Sequence, residues 1–216
     1  MNEATFGRSA PALEAAHLLV FARVPALGRV KSRLAAGVGA GAALGVYLEL
    51  LAHTRAVVRA AGVPATVWLA DVAGPVPTPA ETAEWPALPA RAQPAGDLGA
   101  RMSTAFAAAF AAGCARVAII GTDCPGLHAD HLAQAFALLE AHDVVLGPAA
   151  DGGYYLLGLR QPQPALFRHQ QWSTASVLAD TLAAAARLGL RVALLPELHD
   201  VDNAADLAAW RAEARE

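Results

Sequence analysis

The chain has 216 residues, of which 56% are hydrophobic and only 16% are charged, so it can bury a large core and is not an intrinsically disordered chain. Its formal net charge of −3 argues against a general nucleic-acid-binding protein, which would present a strongly basic face. No apolar run is long enough to cross a bilayer. From the charge and the missing apolar run together, neither a nucleic acid nor a membrane is expected as a partner.

The two cysteines and the N-terminal residues indicate the compartment. Cys114 and Cys124 form no CxxC pair, which favours reduced thiols over a disulfide framework or a zinc site. Residues 1–16 contain no basic stretch followed by a long apolar one, so they do not resemble a secretion signal. We therefore expect a cytoplasmic protein with a loose N-terminal tail at residues 1–16 and a single domain at residues 17–216.

Short apolar runs alternate with helical patterns, which is typical of a doubly wound, mostly parallel α/β sheet. The predicted strands lie at residues 17–22, 65–70, 116–121, 143–146, 153–159 and 191–195. The predicted helices lie at residues 42–60, 98–112, 129–141 and 173–188, and from residue 204 onward. The fourth and fifth strands are joined by too few residues for a crossover helix, so this pair is predicted to be antiparallel. The proline-rich stretch at 74–94 is predicted to form a loop.

A basic loop follows the first predicted strand, where residues 23–34 read RVPALGRVKSRL. Exposed backbone N–H groups and the lysine and arginine side chains suit the binding of a di- or triphosphate. The segment is neither a Walker A sequence nor a GxGxxG fingerprint, and its alternative role is that of a solvated basic turn. The candidate nucleotide-binding residues of this loop are Arg23, Pro25, Gly28, Lys31 and Arg33.

Two acidic clusters follow two other predicted strands. Asp123 lies in the GTDCP segment at 121–125, and Asp202 lies in the HDVDN segment at 199–203. Taken singly, such residues often cap a helix or stabilise a turn. Because ligands of these sheets lie beyond the carboxyl ends of the strands, both carboxylates are predicted to converge on one Mg²⁺ (or Mn²⁺) ion.

Three further segments are candidate walls of the pocket. Each also has a structural alternative, which is a helix cap for the first, a tight turn for the second and core packing of the tryptophan for the third. The candidates on the nucleotide side are Asp97 and Arg101. The candidates on the acceptor side are Asp151, Gly152, Gly153, Tyr154, Trp172, Ser173 and Thr174.

Six motifs, in this order, resemble the rSAM/selenodomain-associated transferase family: LLVFARVPALGRVKSRL, GDLGARM, IIGTDCPGL, VLGPAADGGYYLLGL, WST and HDVDNAADL. The resemblance covers residues 17–210. Members of that family are commonly labelled glycosyltransferases, and the family is similar to phospholactate and molybdenum-cofactor guanylyltransferases. The resemblance implies a GT-A-like nucleotide-diphospho-sugar transferase fold.

The same resemblance implies roles for individual residues. Arg23, Lys31 and Arg33 would face the nucleotide phosphates, Asp123 and Asp202 would bind magnesium, and the turn at 152–154 would line the acceptor side. The chain departs from the family pattern by having arginine at position 23 where lysine is frequent and leucine at 27 where proline is frequent. It also has Asn-Ala at 203–204 in place of Thr-Pro, which affects the surroundings of Asp202.

Three functions are compatible with these residues. The first is Mg²⁺-dependent nucleotidyl transfer from a nucleoside triphosphate to a small phosphorylated acceptor, with Lys31, Arg33 and Asp123 as the catalytic residues. The second is glycosyl transfer from a nucleotide-sugar, although Asp123-Cys124-Pro125 lacks the second carboxylate of a DxD pair. The third is a non-catalytic nucleotide-binding protein. The alanine-rich helices leave room for a homodimer surface, which no sequence feature marks.

Overall fold

The computed structural model describes residues 16–168, 171–172 and 174–213, so most of the predicted tail and Ser173 lie outside the described residues. A seven-stranded sheet forms the centre of this part of the chain. Its strands are β1 (Ala16–Arg23), β2 (Ala65–Ala70), β3 (Ala90–Ala92), β4 (Arg116–Ile120), β5 (Val144–Pro148), β6 (Tyr154–Leu159) and β7 (Val192–Leu194). The helices are α1 (Ser32–Val38), α2 (Ala40–Ala61), α3 (Leu98–Ala111), α4 (Ala129–Leu138), α5 (Val177–Arg187) and α6 (Ala204–Glu213), and a 3₁₀ turn spans Pro164–Phe167.

The strands lie in the order β3-β2-β1-β4-β6-β5-β7. Only β6 runs against its neighbours, since it pairs antiparallel with both β4 and β5, whereas the other pairs are parallel. This topology confirms the predicted class, a mostly parallel α/β sheet, and the predicted antiparallel pair. No helix of the described residues is both long and apolar enough to span a membrane.

The continuous apolar runs of the central strands are explained by helices on both faces of the sheet. In β1, Leu18 and Val20 belong to the core cluster that contains Leu51 of α2. The intervening Leu19 belongs to the opposite cluster, which contains Phe106 of α3. Leu18, Leu19 and Val20 are all at most 1% exposed, so neither face of this strand shows a polar alternation. Every residue of β2 is buried in the same way.

Two short elements lie where the sequence pattern indicated no helix or strand. Helix α1 has seven residues, buries Leu34 and ends at Gly39, which adopts a φ of 85°. Strand β3 lies inside the predicted loop at 74–94 and pairs in parallel with β2. Both are too short for a hydrophobic period to develop, which is why periodicity does not reveal them. Helix α5 also begins at Val177, later than the predicted start at residue 173.

A glycine turn joins β5 and β6 and packs closely against the start of α5. Gly152 adopts a φ of 87°, and a β-carbon at this position would overlap the backbone carbonyl of Ala175. The backbone N–H of Leu178 donates a hydrogen bond of 2.9 Å to the Gly152 carbonyl. The turn therefore requires glycine both for its backbone conformation and for the space around it.

We expect Gly152→Ala to lower the free energy of unfolding by about 3 kcal/mol, because a left-handed backbone and an overlap are each unfavourable by about 1–2 kcal/mol. Gly189→Ala is the matched control, since Gly189 has a φ of 65° but no atom within 4 Å of an added β-carbon. The control should lose only about 1 kcal/mol. Urea denaturation of both variants measures the difference, and equal losses would contradict the packing explanation.

Candidate active site

A cleft of about 450 Å³ opens at the carboxyl ends of β1, β2 and β4. Polar residues from distant parts of the chain line it, as expected for a sheet in which these strands are parallel neighbours. Among the predicted site residues, the cleft brings together Arg23, Lys31, Arg33, Arg101, Asp123, Tyr154 and Asp202. The two aspartates predicted to meet therefore do meet, on the same side of the molecule as the basic loop.

Lys31 lies between the two predicted metal ligands. Its Nζ is 2.5 Å from Asp123 Oδ1 and 3.1 Å from Asp202 Oδ1, and it donates a hydrogen bond of 2.7 Å to the Val201 carbonyl. Its side chain is only 5% exposed. Burial alone would lower the pKa of Lys31, but the two carboxylates outweigh burial and raise that pKa above its usual value. The ammonium group is therefore charged at neutral pH.

Lys31 is the N-cap of α1, and its backbone is in the left-handed region, with φ 49° and ψ 49°. Lys31 and Asp71 are the two non-glycine positions with positive φ in the part of the chain that the structure describes. Such a conformation is unfavourable by roughly 1–2 kcal/mol and persists where surrounding contacts enforce it. Both residues lie at the edge of the sheet where the cleft opens.

The Asp202 carboxylate points to the cleft because another residue caps the adjacent helix. The Asn203 side chain accepts hydrogen bonds from the N–H groups of Ala205 (2.8 Å) and Asp206 (3.1 Å). In return, Asp206 accepts from the N–H groups of Asp202 and Asn203, at 2.9 and 3.0 Å. This reciprocal cap satisfies the start of α6 and leaves the Asp202 side chain for the two cations. The departure from the Thr-Pro pattern at 203–204 therefore does not displace Asp202.

The remaining arginines differ in their surroundings. Arg33 is 72% exposed at the rim, and its Nη2 lies 2.5 Å from Asp202 Oδ2. Arg23 is the last residue of β1, and its Nε donates a hydrogen bond of 2.7 Å to Asp71 Oδ2. Arg101 donates from Nε to the Gly96 carbonyl at 2.9 Å. Only Arg33 shares a carboxylate with Lys31.

Tyr47 of α2 holds the end of β1 in place. Its hydroxyl accepts a hydrogen bond from the Arg23 N–H at 2.8 Å and donates one to the Arg23 carbonyl at 3.0 Å. Burial raises the pKa of this hydroxyl to about 12, so it remains a donor at neutral pH. Sequence patterns do not reveal a site role for Tyr47 or Asp71, because a tyrosine at helical spacing indicates a core residue and Asp71 is a single acid after a strand.

Asp200 is a third carboxyl group in the cleft, beside the predicted pair. Its Oδ1 is buried and has no hydrogen-bond partner among the described residues. Burial, together with Asp123, Asp202 and Asp151, raises the pKa of Asp200 to about 7, against the opposite effect of Lys31. In the sequence, Asp200 lies two positions before Asp202 in the HDVD segment. This spacing is the sequence feature that points to Asp200 as a further site residue.

Several predicted site residues make structural contacts and do not line the cleft. Asp97 caps α3 by accepting from the Ala100 N–H at 2.8 Å, and Asp151 Oδ1 accepts from the Gly153 N–H at 2.8 Å. The Trp172 ring stacks on Phe167, which agrees with the core-packing alternative. The ligand-binding roles of these positions stay predictions, and the residues concerned are Pro25, Gly28, Asp97, Asp151, Gly152, Gly153, Trp172 and Thr174.

Comparison with known proteins identifies the family. Residues 53–174 match the uncharacterized proteins conserved in bacteria that form the family DUF2064. The chain belongs to the DUF2064 family. It is also 32% identical to a Desulfovibrio desulfuricans G20 protein provisionally named a nucleotide-diphospho-sugar transferase, with a TM-score of 0.84 over 91% of this chain and 86% of that one. That match confirms the nucleotide-diphospho-sugar transferase fold, while the narrower resemblance to the rSAM/selenodomain-associated proteins stays a prediction.

More distant structures share the fold of this DUF2064 member. The inositol-1-phosphate CTP transferase from T. maritima is 13% identical, with a TM-score of 0.56 over 91% of this chain and 93% of that one. Rv0371c from Mycobacterium tuberculosis H37Rv, in a complex with manganese, is 14% identical, with a TM-score of 0.55 over 90% of this chain and 97% of that one. No protein of curated function shows a significant match to the chain.

Cys124, next to Asp123, provides a probe of this site. The thiol is 6% exposed. Burial and then the nearby Asp200 raise its pKa to about 12. At pH 8 its thiolate fraction is then about 10⁻⁴, against about a quarter for a thiol with a pKa near 8.5. We expect alkylation of Cys124 by iodoacetamide at pH 8 to be at least about 1,000-fold slower in the native protein than in urea.

Mass spectrometry of tryptic peptides measures both cysteines in the same sample. Cys114 is the internal control, since it is only partly buried and should react before Cys124 in the native protein. Native labelling of Cys124 at the rate of the unfolded chain would show that the loop carrying Asp123 is not packed as described.

Proposed function

We propose that this DUF2064 protein is a divalent-metal-dependent nucleotidyltransferase that transfers a nucleoside monophosphate from a nucleoside triphosphate to a small phosphorylated acceptor. The observation that carries the proposal is the buried Lys31 ammonium group between Asp123 and Asp202 at the carboxyl edge of the sheet. Basic and acidic groups of this kind, close together in one cleft, suit the handling of a polyphosphate together with a cation.

The cations supply the binding site for the triphosphate. Lys31 lies at the floor of the cleft and Arg33 at its rim, and within the described residues their side chains pair only with site carboxylates and the Val201 carbonyl. Phosphate oxygens bind lysine as a point charge and arginine through a bidentate fork. Arg23 and Arg101 lie along the same cleft and would add contacts farther along the nucleotide.

The residues present fit a hard cation that is shared with the substrate. Asp123 and Asp202 provide two carboxylates, and the unpartnered Oδ1 of Asp200 is a further oxygen in the same cleft. Among the described residues, no group of three or more His, Cys, Asp or Glu side chains forms a complete metal site by itself. Magnesium suits this arrangement because it takes one or two protein carboxylates and completes its shell with water and phosphates. Mg²⁺ or Mn²⁺ would neutralise charge on the reacting phosphates, and the manganese in the related Rv0371c fold supports this assignment.

In the proposed reaction, an acceptor phosphate oxygen forms a bond to the α-phosphorus of the triphosphate. The bond from the α-phosphorus to the oxygen that bridges to the β-phosphorus breaks, and pyrophosphate leaves with that electron pair. A phosphate monoester is largely ionised at neutral pH, since its second pKa is about 6, so the acceptor arrives already deprotonated. This requirement agrees with the absence of histidine from the described residues that line the cleft. Lys31 and Arg33 would stabilise the negative charge on the reacting phosphates and the leaving pyrophosphate, and they would do so as fixed positive charges without transferring a proton.

The T. maritima protein supports this reaction class, because its name specifies CTP and a phosphorylated alcohol. A second candidate is glycosyl transfer from a nucleotide-sugar, which the name of the Desulfovibrio relative favours. In this chain the position two residues after Asp123 is a proline, so the loop after β4 carries no DxD pair, whereas Asp200 and Asp202 have that spacing in the segment before α6. Under either reaction we assign the acceptor side to Tyr154, which lines the cleft, with the preceding turn as its support.

A thermal-shift panel distinguishes the candidates. The four ribonucleoside triphosphates and the common nucleotide-sugars are each tested with Mg²⁺ and with EDTA. A nucleotidyltransferase should be stabilised by a triphosphate, and more strongly with the metal, because a ligand that binds only the folded state raises its stability. Selective stabilisation by a nucleotide-sugar would instead support glycosyl transfer, and no response to any of these ligands would favour a non-catalytic role.

Asp123→Asn should lower turnover at least about 100-fold, because it removes a negative charge from the proposed metal site while keeping the shape of the side chain. Release of pyrophosphate measures turnover with the triphosphate chosen by the panel. Glu49→Gln is the matched control, since it removes one surface carboxylate that pairs with Arg211 and should leave turnover unchanged. Full activity of Asp123→Asn would eliminate the proposed role of this carboxylate.

A further inference from the structure

The Lys31 ammonium group occupies the space between the two carboxylates that are proposed to bind a metal ion. Its Nζ contacts Oδ1 of both Asp123 and Asp202, at 2.5 and 3.1 Å, and these are the side chains proposed to bind the metal. A Mg²⁺ ion binds its oxygen ligands at about 2.0–2.1 Å. An ammonium group in this place and a divalent ion on the same two oxygens would repel each other strongly, because Lys31 is almost completely buried.

We propose that Lys31 acts as an internal cation that keeps Asp123 and Asp202 from binding a metal ion until the nucleotide phosphates draw its ammonium group away. The inference rests on the proposed nucleotide and metal binding, and it adds an order to them. The nucleotide binds first or together with the metal, and the metal alone binds weakly.

The side chain and its surroundings allow this movement. Lysine carries its charge on a flexible four-carbon chain, so a shift of the ammonium group requires only side-chain rotations. The third partner of Nζ, the Val201 carbonyl at 2.7 Å, is a neutral group that any other donor or water can satisfy. A triphosphate in the cleft offers several negative oxygens in exchange for two carboxylates.

Arg33 does not serve as the internal cation, although it also pairs with Asp202. Its Nη2 contacts Asp202 Oδ2 and not Asp123, and its side chain is 72% exposed. Arg33 therefore lowers the negative charge of the site without occupying the space between the carboxylates. Because both cations lie in one site, replacing each of them in turn separates the effect of losing a positive charge from the effect of vacating the space between the carboxylates.

Reciprocity makes the inference measurable. If the nucleotide moves Lys31 from the carboxylates, it must raise the affinity for the metal by the same factor by which the metal raises the affinity for the nucleotide. A side chain without charge at position 31 should remove the competition, so the metal would then bind without nucleotide. The gain should be at least about fivefold, the lower end of typical coupling between two ligands.

The experiment titrates Mn²⁺ alone into the full chain without nucleotide, and the amplitude of the electron paramagnetic resonance signal of free Mn²⁺ gives the dissociation constant. The wild type is expected to bind weakly, and Lys31→Met to bind at least about fivefold more tightly. Arg33→Met is the matched control and should change the dissociation constant clearly less. The double variant Lys31→Met with Asp123→Asn should lose the gain, which would assign the bound ion to the carboxylates.

Equal Mn²⁺ affinity of wild type and Lys31→Met would overturn the proposal, as would a gain that survives Asp123→Asn or a gain of the same size in Arg33→Met. Lys31→Gln provides a second test, because its amide can still donate to the Val201 carbonyl should the methionine variant fail to fold. The titration contains no nucleotide and measures no turnover. A protein without transferase activity can therefore still pass it, and an active transferase can fail it.

Discussion

The arrangement of the cleft depends on one buried charge, the Lys31 ammonium group. It connects the start of α1 to the loop after β4 through Asp123, and to the segment before α6 through Val201 and Asp202. A buried ammonium group requires such partners, and removing one partner of a buried pair typically costs about 3–5 kcal/mol. The Lys31 ammonium group therefore contributes both to the site and to the packing of these three segments.

The order of the strands explains why these segments meet. Strand β1 lies between β2 and β4 and runs parallel to both, so the residues that follow all three strands emerge at one edge. Strand β6 runs in the opposite direction next to β4, with Leu156 opposite Ile120. The beginning of β6 therefore lies where β4 ends. This places Tyr154, the first residue of β6, in the cleft. A single antiparallel strand adds a segment to the site that a fully parallel sheet would direct away from it.

The sequence was sufficient to predict those features that depend on chain-wide patterns. The apolar runs of β1, β2 and β4 reveal buried parallel strands, and the rule that ligands bind beyond carboxyl ends then places Lys31, Asp123 and Asp202 together. Features that arise from contacts between residues far apart in the chain cannot be predicted from the sequence pattern. Nothing in the pattern around Tyr47 distinguishes a tyrosine that binds the backbone of Arg23 from one that only packs in the core.

The same limit applies to the glycines and to the third acid. The turn at Gly152 resembles a ligand-binding loop in sequence, whereas in the structure its backbone packs against Ala175. The burial of Asp200 depends on how the segment before α6 folds over the cleft, and a sequence does not show which of two aspartates in HDVD turns inward. Short elements such as α1 and β3 have no period of their own, and their positions follow from the sheet and helices around them.

The two carboxylates lie far apart along the chain, so the site depends on how two separate loops are held together when the Lys31 side chain moves. In an adjacent pair of acids, one loop sets both side chains, but here Asp123 and Asp202 come from separate loops. Two sets of hydrogen bonds that do not involve Lys31 hold these segments: one joins the two loops, and the other lies within the segment before α6. The Val201 N–H donates to the Asp123 carbonyl at 2.9 Å, and the Asn203–Asp206 cap fixes the backbone of Asp202. Because these bonds do not involve the ammonium group, they hold the backbones of both aspartates whatever the position of the lysine side chain, and under the proposed exchange an entering ion would meet two loops already in place.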